Sequence, residues 1–311
     1  MEKQAVKEHL YGLRESAMRP TEAYKQWLQM LEGELPKYFS RGLVHVSCTG
    51  CGAARSQPAF TKFGFAYRKC LTCHSTFVSP RPSQAALDRF HARARAPKFF
   101  KERIVSQTAD VRLANQIHPL QAWIKSIVKG RSARVSHALD YEQKFLSVWD
   151  KAFVSHFPVL RRVSVTGRAA VPLTAPFTKK VSLRRLAPHS VDIVTAFDVL
   201  DRARDPRGTV KTLATLCRRG GLLLLTTNTG SGFEYLVLGA HSPRLVPPDR
   251  LNLLTVEAIT KMLTASGFRL LDVSTPGKLD VQVVQAAAKE NPQIVVGPFL
   301  EHLFRFRSSL A

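Results

Sequence analysis

Four of the five cysteines fall in two short pairs, Cys48-Thr49-Gly50-Cys51 and Cys70-Leu71-Thr72-Cys73, with eighteen residues between them. Two thiolates separated by two residues fit one tight turn, and two such turns can close a tetrahedron around a zinc ion. Gly50 and Gly52 ease the first turn. Four thiolates leave no open coordination position, so the expected role is structural and not catalytic. The alternatives are two disulfides or a redox pair. The chain has no secretory signal, which disfavours the first. The symmetric doubling of the pair disfavours the second. Cys217, in "LATLCRRGG", is read as a buried small hydrophobe.

A second chemistry is written in charge. Lys and Arg number 46 against 23 Asp and Glu, a net +23. From Lys151 to Val191 there is no acid at all. Arg161, Arg162, Lys179, Lys180, Arg184 and Arg185 fall inside that span, and are candidates for binding RNA or another polyanion. The bland alternative is a solvated basic face, because charge alone carries no base recognition.

Elements must hold these groups in place. The chain has 311 residues and 45% apolar residues, enough for one main domain with small appendages. No apolar run is long enough to cross a membrane. The N-terminus lacks an apolar signal core, so the expected location is cytoplasmic, or an organellar matrix where a targeting segment has been removed. Residues 20–38 carry Trp27, Leu28, Leu31 and Leu35 at helical spacing. A helix is expected to begin near Ser83 and another to run over 108–128. From Ala133 strands and helices alternate: "ARVSHAL", "LRRVSVT", "VDIVTAF", "GGLLLLTTN" and "RLLDVST" read as strands. "EQKFLSVWDKAFVSHF", "DPRGTVKTLATLCRR" and "TVEAITKMLTASGF" read as helices. That alternation predicts an α/β fold, a mostly parallel sheet with helices on both faces. The expected organisation is an N-terminal helical segment over 1–43 and a zinc-binding module over 44–82. A helical cover over 83–131, the sheet domain over 132–290 and a basic aromatic tail over 291–311 follow. That tail is expected to dock as a helix or to bind a partner.

Several stretches resemble one family in its own order. They are "CTGC", "FTKFGFAYRKCLTCHSTFVSPRP", "LDRFH", "FDVLDRARDP", "RRGGLLLLTTNTGSGF", "VPPDRLNLLT" and "ASGFRLLDVSTPGKLDV". Together the chain resembles the class I S-adenosylmethionine-dependent methyltransferases with an N-terminal zinc module, sugar C-methyltransferases among them. The resemblance implies a Rossmann-like methyltransferase fold. It also implies a cofactor site at the carboxyl end of the first sheet strand.

At that site the sequence departs from the pattern. The family's glycine-rich turn, L-D-x-G-x-G-x-G-x-F-L, stands here as Leu139-Asp140-Tyr141-Glu142-Gln143-Lys144-Phe145-Leu146. The acid that would hold the ribose after the next strand is replaced by Gly167-Arg168-Ala169. The family's E-V-L-E-H ends in Arg202, and its P-P-x-H-L-N carries Arg250. A guanidinium cannot serve as a general base. His241 is the weak remaining candidate for one. Asp140, Asp198 and Asn228 are the surviving pocket residues. The expected protein is a pseudoenzyme, methyltransferase-like, with a structural zinc and weak or no S-adenosylmethionine binding, acting by binding an anionic partner such as RNA or within a protein assembly. The alternative is an active methyltransferase on a small molecule such as a sugar.

Overall fold

The computed structural model describes residues 13–142, 147–166, 178–275 and 279–308. In chain order its main elements are α1 (Thr21–Phe39), β1 (Ser56–Lys62), β2 (Phe65–Cys70), β3 (Thr76–Val78), α2 (Gln84–Arg93), α3 (His118–Ile127), β4 (His137–Asp140), α4 (Lys151–Val154) and β5 (Arg162–Val165). There follow β6 (Thr178–Lys180), β7 (Val191–Phe197), α5 (Pro206–Leu216), β8 (Cys217–Thr226), α6 (Phe233–Leu238), β9 (Asn252–Leu253), α7 (Val256–Ala265), α8 (Asp280–Glu290) and α9 (Pro298–Ser308). The chain divides into two compact units that are not collinear with the sequence. One comprises 1–108, 229–259 and 270–311, the other 109–228 and 260–269.

In the first unit, Trp27, Leu31, Leu35 and Phe39 recur every four residues, so α1 lays them on one face, and all four are buried. They pack with Phe65, Tyr67, Leu87 and Phe90. Each large side chain so buried contributes about 1.5–3 kcal/mol. Ser83 caps α2, its hydroxyl accepting from the Ala86 N–H at 3.2 Å. The sheet of this unit is antiparallel in the order β1-β2-β3-β9. Strand β9 joins through Thr76↔Leu253 and Phe77↔Asn252. Arg81, fully buried, holds the junction by donating to the Val78 carbonyl at 3.0 Å and Asn252 Oδ1 at 3.0 Å. A buried guanidinium is tolerable only with such partners. The tail docks as a helix: Leu300 of α9 is buried with Leu238, Val283 and Val284. Arg244 ties Glu15, Glu234 and Asp280 into one ion network.

The second unit is a five-stranded parallel sheet in the order β6-β5-β4-β7-β8. Alternation along the strands sends side chains to both faces. Ala138, Val163, Val165 and Ile193 meet Ile124, Trp149, Phe153 and Phe157 on one side. Leu139, Val194 and Ala196 meet Leu213 and Leu216 of α5 on the other. A sheet covered on both faces explains why "VDIVTAF" reads as a nearly continuous apolar run. The result is the Rossmann-like methyltransferase fold, with all five strands parallel.

The structure departs from the sequence reading in several places. Residues 217–219 belong to β8 and not to the preceding helix. Val191 pairs with Cys217 and Ile193 with Leu222, so Arg218–Gly221 bulge opposite Asp192. Both glycines are required there. Gly220 has φ +72°, and a Cβ on Gly221 would lie 2.9 Å from the Asp192 carbonyl oxygen. The helix expected over 142–157 is reduced to α4, and residues 143–146 of it lie outside the described residues. The helix expected over 108–128 alternates α with π geometry at Leu113–Ile117. "RLLDVST" forms no strand, and Leu270, Leu271 and Val273 are exposed. No helix among the described residues is long and apolar enough to cross a membrane.

Candidate metal centre and cofactor cleft

The two cysteine turns are built alike. The Cys48 N–H donates to the Ala53 carbonyl and the Cys70 N–H to the Ser75 carbonyl, both at 2.9 Å. The residue four past each leading cysteine, Gly52 or His74, takes a left-handed φ of 83° or 57°. Their thiols converge: Cys48 and Cys73 Sγ are 3.5 Å apart, Cys51 and Cys70 Sγ 3.6 Å, and all four lie within 4.8 Å of one another. Zinc–sulfur bonds of about 2.3 Å in a tetrahedron separate sulfurs by about 3.8 Å, so the cluster fits that ion. All five cysteines are free thiols in this structure. Burial pushes the Cys48 and Cys51 thiols up. At Cys70 burial acts the same way but is outweighed. Hydrogen bonds from the Cys73 and Thr72 N–H groups and the Cys48 and Cys51 thiols bring it down to about 7. Cys217 is buried, as its surroundings in the sequence suggest, and its thiol is pushed up to about 11 by that burial.

In the second unit the sheet brings three sequence-derived residues to the carboxyl ends of adjacent strands: Asp140 on β4, Asp198 after β7 and Asn228 after β8. Each is already engaged. Asp140 is 4% exposed and accepts from Ser147 Oγ at 2.7 Å and Thr195 Oγ1 at 3.2 Å. Thr195 is in turn held by Trp149 Nε1 at 3.1 Å. Asn228 donates to Asp201 Oδ2 at 2.8 Å. Asp198 lies 3.8 Å from the Arg202 guanidinium and has φ +54°. Tyr141 turns its ring into the core beside Val199 and Leu213, 8% exposed. Glu142 occupies a φ of +51°, where a glycine would be unstrained. Its N–H donates to Thr166 Oγ1 at 2.9 Å. Thr166 directly follows β5. Gly167, Arg168 and Ala169 lie outside the described residues. Ser147, Trp149 and Thr195 were missed by sequence reasoning, since hydroxyls in an apolar context carry no pattern of their own.

Burial raises Asp140 from the ordinary 3.8 to about 6, partly opposed by the Ser147 and Thr195 hydroxyls. A folded-state value above the unfolded one adds stability that is fully present below about pH 4 and lost as pH rises through about 6. Going from pH 7 to pH 5, the wild type should therefore gain about 1–2 kcal/mol relative to Asp140→Asn. Thermal or urea unfolding at the two pH values checks this, and parallel curves for the two proteins would refute it.

His241 is exposed in a short 3-10 turn of the first unit, 2.9 Å from Asn291 Nδ2. Arg250, also in the first unit, donates to its neighbour's carbonyl, that of Asp249. The six basic candidates are all exposed, with no ion pair to an acid among the described residues. They do not form one row. Arg161 and Arg162 sit at the amino end of β5, Lys179 and Lys180 end the edge strand β6, and Arg184 and Arg185 lie in the 3-10 turn after it.

The profile of a methyltransferase-domain family matches residues 77–273. No curated protein matches the chain. Solved structures similar to it include an O-methyltransferase family protein from Burkholderia thailandensis, at 17% identity and TM-score 0.37. The match covers 55% of this chain and 57% of that one, so the chain spans little more than half of that relative. The YcgJ protein from Bacillus subtilis is 14% identical at TM-score 0.39, covering 54% and 82%. An S-adenosylmethionine-dependent methyltransferase from Mesorhizobium loti is 16% identical at TM-score 0.38, covering 56% and 94%.

Proposed function

The chain belongs to the methyltransferase-domain family, and from that membership we propose that it has kept the fold and lost the methyl transfer, acting by binding an anionic partner. The observation that carries this reading is the internal use of Asp140. Its carboxylate accepts from Ser147 and Thr195 and is almost wholly buried, while Tyr141 and Glu142 stand where the family has its glycine cradle. A carboxylate this buried, with each oxygen already held by a hydroxyl, is poorly placed to reach a ligand. The four-thiol cluster holds a structural zinc in this reading, consistent with its sulfur spacing. The placement of Asp140, Asp198 and Asn228 at three neighbouring strand ends favours one second reading, an active methyltransferase on a small molecule such as a sugar. Calorimetric titration with S-adenosylmethionine separates the two.

RNA is the partner class the charge favours. Exposed Arg161, Arg162, Lys179, Lys180, Arg184 and Arg185 supply phosphate contacts without acids nearby in sequence. Phosphate contacts release counterions, so the logarithm of affinity should fall with the logarithm of salt by about 0.7 per contact for single strands. Replacing Lys179 and Lys180 by Gln should reduce that slope by about 1–2. Fluorescence anisotropy with an unstructured oligonucleotide measures it. No binding at low salt, or binding indifferent to salt, would reduce these residues to a solvated face.

A further inference from the structure

The amino end of the parallel sheet, opposite the cofactor end, holds a cavity of about 340 Å³ within the second unit. That size lies in the range of small-molecule pockets. Its lining divides by chemistry. Val128, Ile193 and Leu222 form an apolar floor, Arg131 and Arg134 supply positive charge, and Asp192 and Arg218 enter the lining as an ion pair.

The sequence builds this arrangement by two local devices. After α3, the chain turns through Gly130 at φ +76° into a 3-10 turn, Ser132–Arg134, capped by Arg131. In 3-10 geometry residues three apart eclipse, which sends Arg131 and Arg134 to the same side. From the other side, the Gly220-Gly221 bulge of β8 brings Arg218 onto Asp192 at 2.6 Å. Asp192 is buried, and its second oxygen accepts from the Ser136 N–H, the Ser136 hydroxyl and the His137 N–H at 2.7–2.9 Å. That carboxylate fixes Arg218 and pairs with neither of the other two arginines. Arg131 and Arg134 are exposed and have no carboxylate partner among the described residues. Two exposed guanidinium groups without a carboxylate partner beside an apolar hollow leave their donor forks available to an anion.

We propose that this cavity binds a small amphiphilic anion. A phosphate or carboxylate head sits on the guanidinium groups of Arg131 and Arg134, and an apolar or aromatic body lies on the Val128, Ile193 and Leu222 floor. Guanidinium forks match both head groups bidentately. The inference stands apart from the reading of the cofactor cleft, because no residue is shared between the two.

The probe is phenyl phosphate, with benzoate to compare head groups and inorganic phosphate and phenol as half-ligands. Each is titrated by calorimetry into the wild type and into Arg131→Gln/Arg134→Gln, with thermal unfolding confirming that the variant is folded. Both side chains are exposed and unpaired, so the fold should not depend on them. Phenyl phosphate or benzoate should bind with a Kd below about 1 mM, at least about tenfold tighter than either half-ligand. The double variant should lose at least about tenfold of that affinity. The stronger of the two acids identifies the head group. Absence of binding by both at about 10 mM, equal affinity in the variant, or inorganic phosphate binding as well as phenyl phosphate would overturn the proposal. So would an arginine-dependent oligonucleotide complex that phenyl phosphate and benzoate fail to displace, which would make this a polymer-binding face.

Discussion

Removing metal from the protein with a strong chelator is expected to unfold the two cysteine turns of the module at residues 44–82 and loosen the strands between them. Around the thiols, Cys48, Cys70, Cys73 and Phe77 pack with Ala258 of α7 in only a small apolar cluster, whereas Phe65, Tyr67 and Val78 of the same segment belong to the larger core with α1. The one large side chain of the small cluster, Phe77, supplies at most about 3 kcal/mol by burial. Structural zinc in comparable small modules supplies about 10–16 kcal/mol at pH 7, so the ion and not the core would dominate. Protein purified without chelator should carry one zinc per chain by elemental analysis. Cys70→Ser should lose most of it, make the module protease-sensitive and leave the parallel sheet folded by circular dichroism. Less than about half an equivalent of zinc in the wild type would count against the site, because binding of this strength does not survive as partial occupancy.

The cysteine spacing was legible because chelation is local: two turns of four residues carry the whole signal. The parallel sheet was legible for a related reason. "VDIVTAF" is buried on both faces, and only a covered strand needs such an unbroken run. Ser83 marked its helix because a cap acts over three residues. Elsewhere the deciding contacts are remote. "RLLDVST" is as apolar as a strand, yet Leu271 is 54% exposed and no partner strand meets it. Apolar content predicts burial only where a surface waits to receive it. The two-residue strand β9 exists only through pairing with β3, across about 176 positions of sequence. The carboxyl-end network joins Asp140 to Ser147 and Thr195, 7 and 55 residues away. The glycine loss was visible in the sequence. What fills the space instead was not, because a hydroxyl seven residues on has no fixed direction until the chain folds.

Titration with S-adenosylmethionine, or with its demethylated product, is expected to show a Kd above about 100 μM or no binding, against the low-micromolar values of a working site. Three local facts converge on this. Glu142 holds φ +51° with a side chain, so the turn is strained before any ligand arrives, and its charge would repel an anionic group brought to it. Its N–H, one of those a ligand would use, is already donated to Thr166 Oγ1 at 2.9 Å. Asp140 would have to accept from a ligand at a position 4% exposed, with the Ser147 and Thr195 hydroxyls already turned onto its two oxygens. A hydrogen bond to a charged group contributes about 1.5–3 kcal/mol. Forfeiting two of them costs about 3 kcal/mol or more, on the order of a hundredfold in affinity. Opening the network should partly restore the site: Ser147→Gly frees one carboxylate oxygen and relaxes the turn, and should tighten any residual binding while raising the Asp140 pKa further above about 6. Low-micromolar binding to the wild type would overturn the reading outright. It would mean that the turn rearranges to release Asp140, and would make methyl transfer to a small acceptor the function to test next.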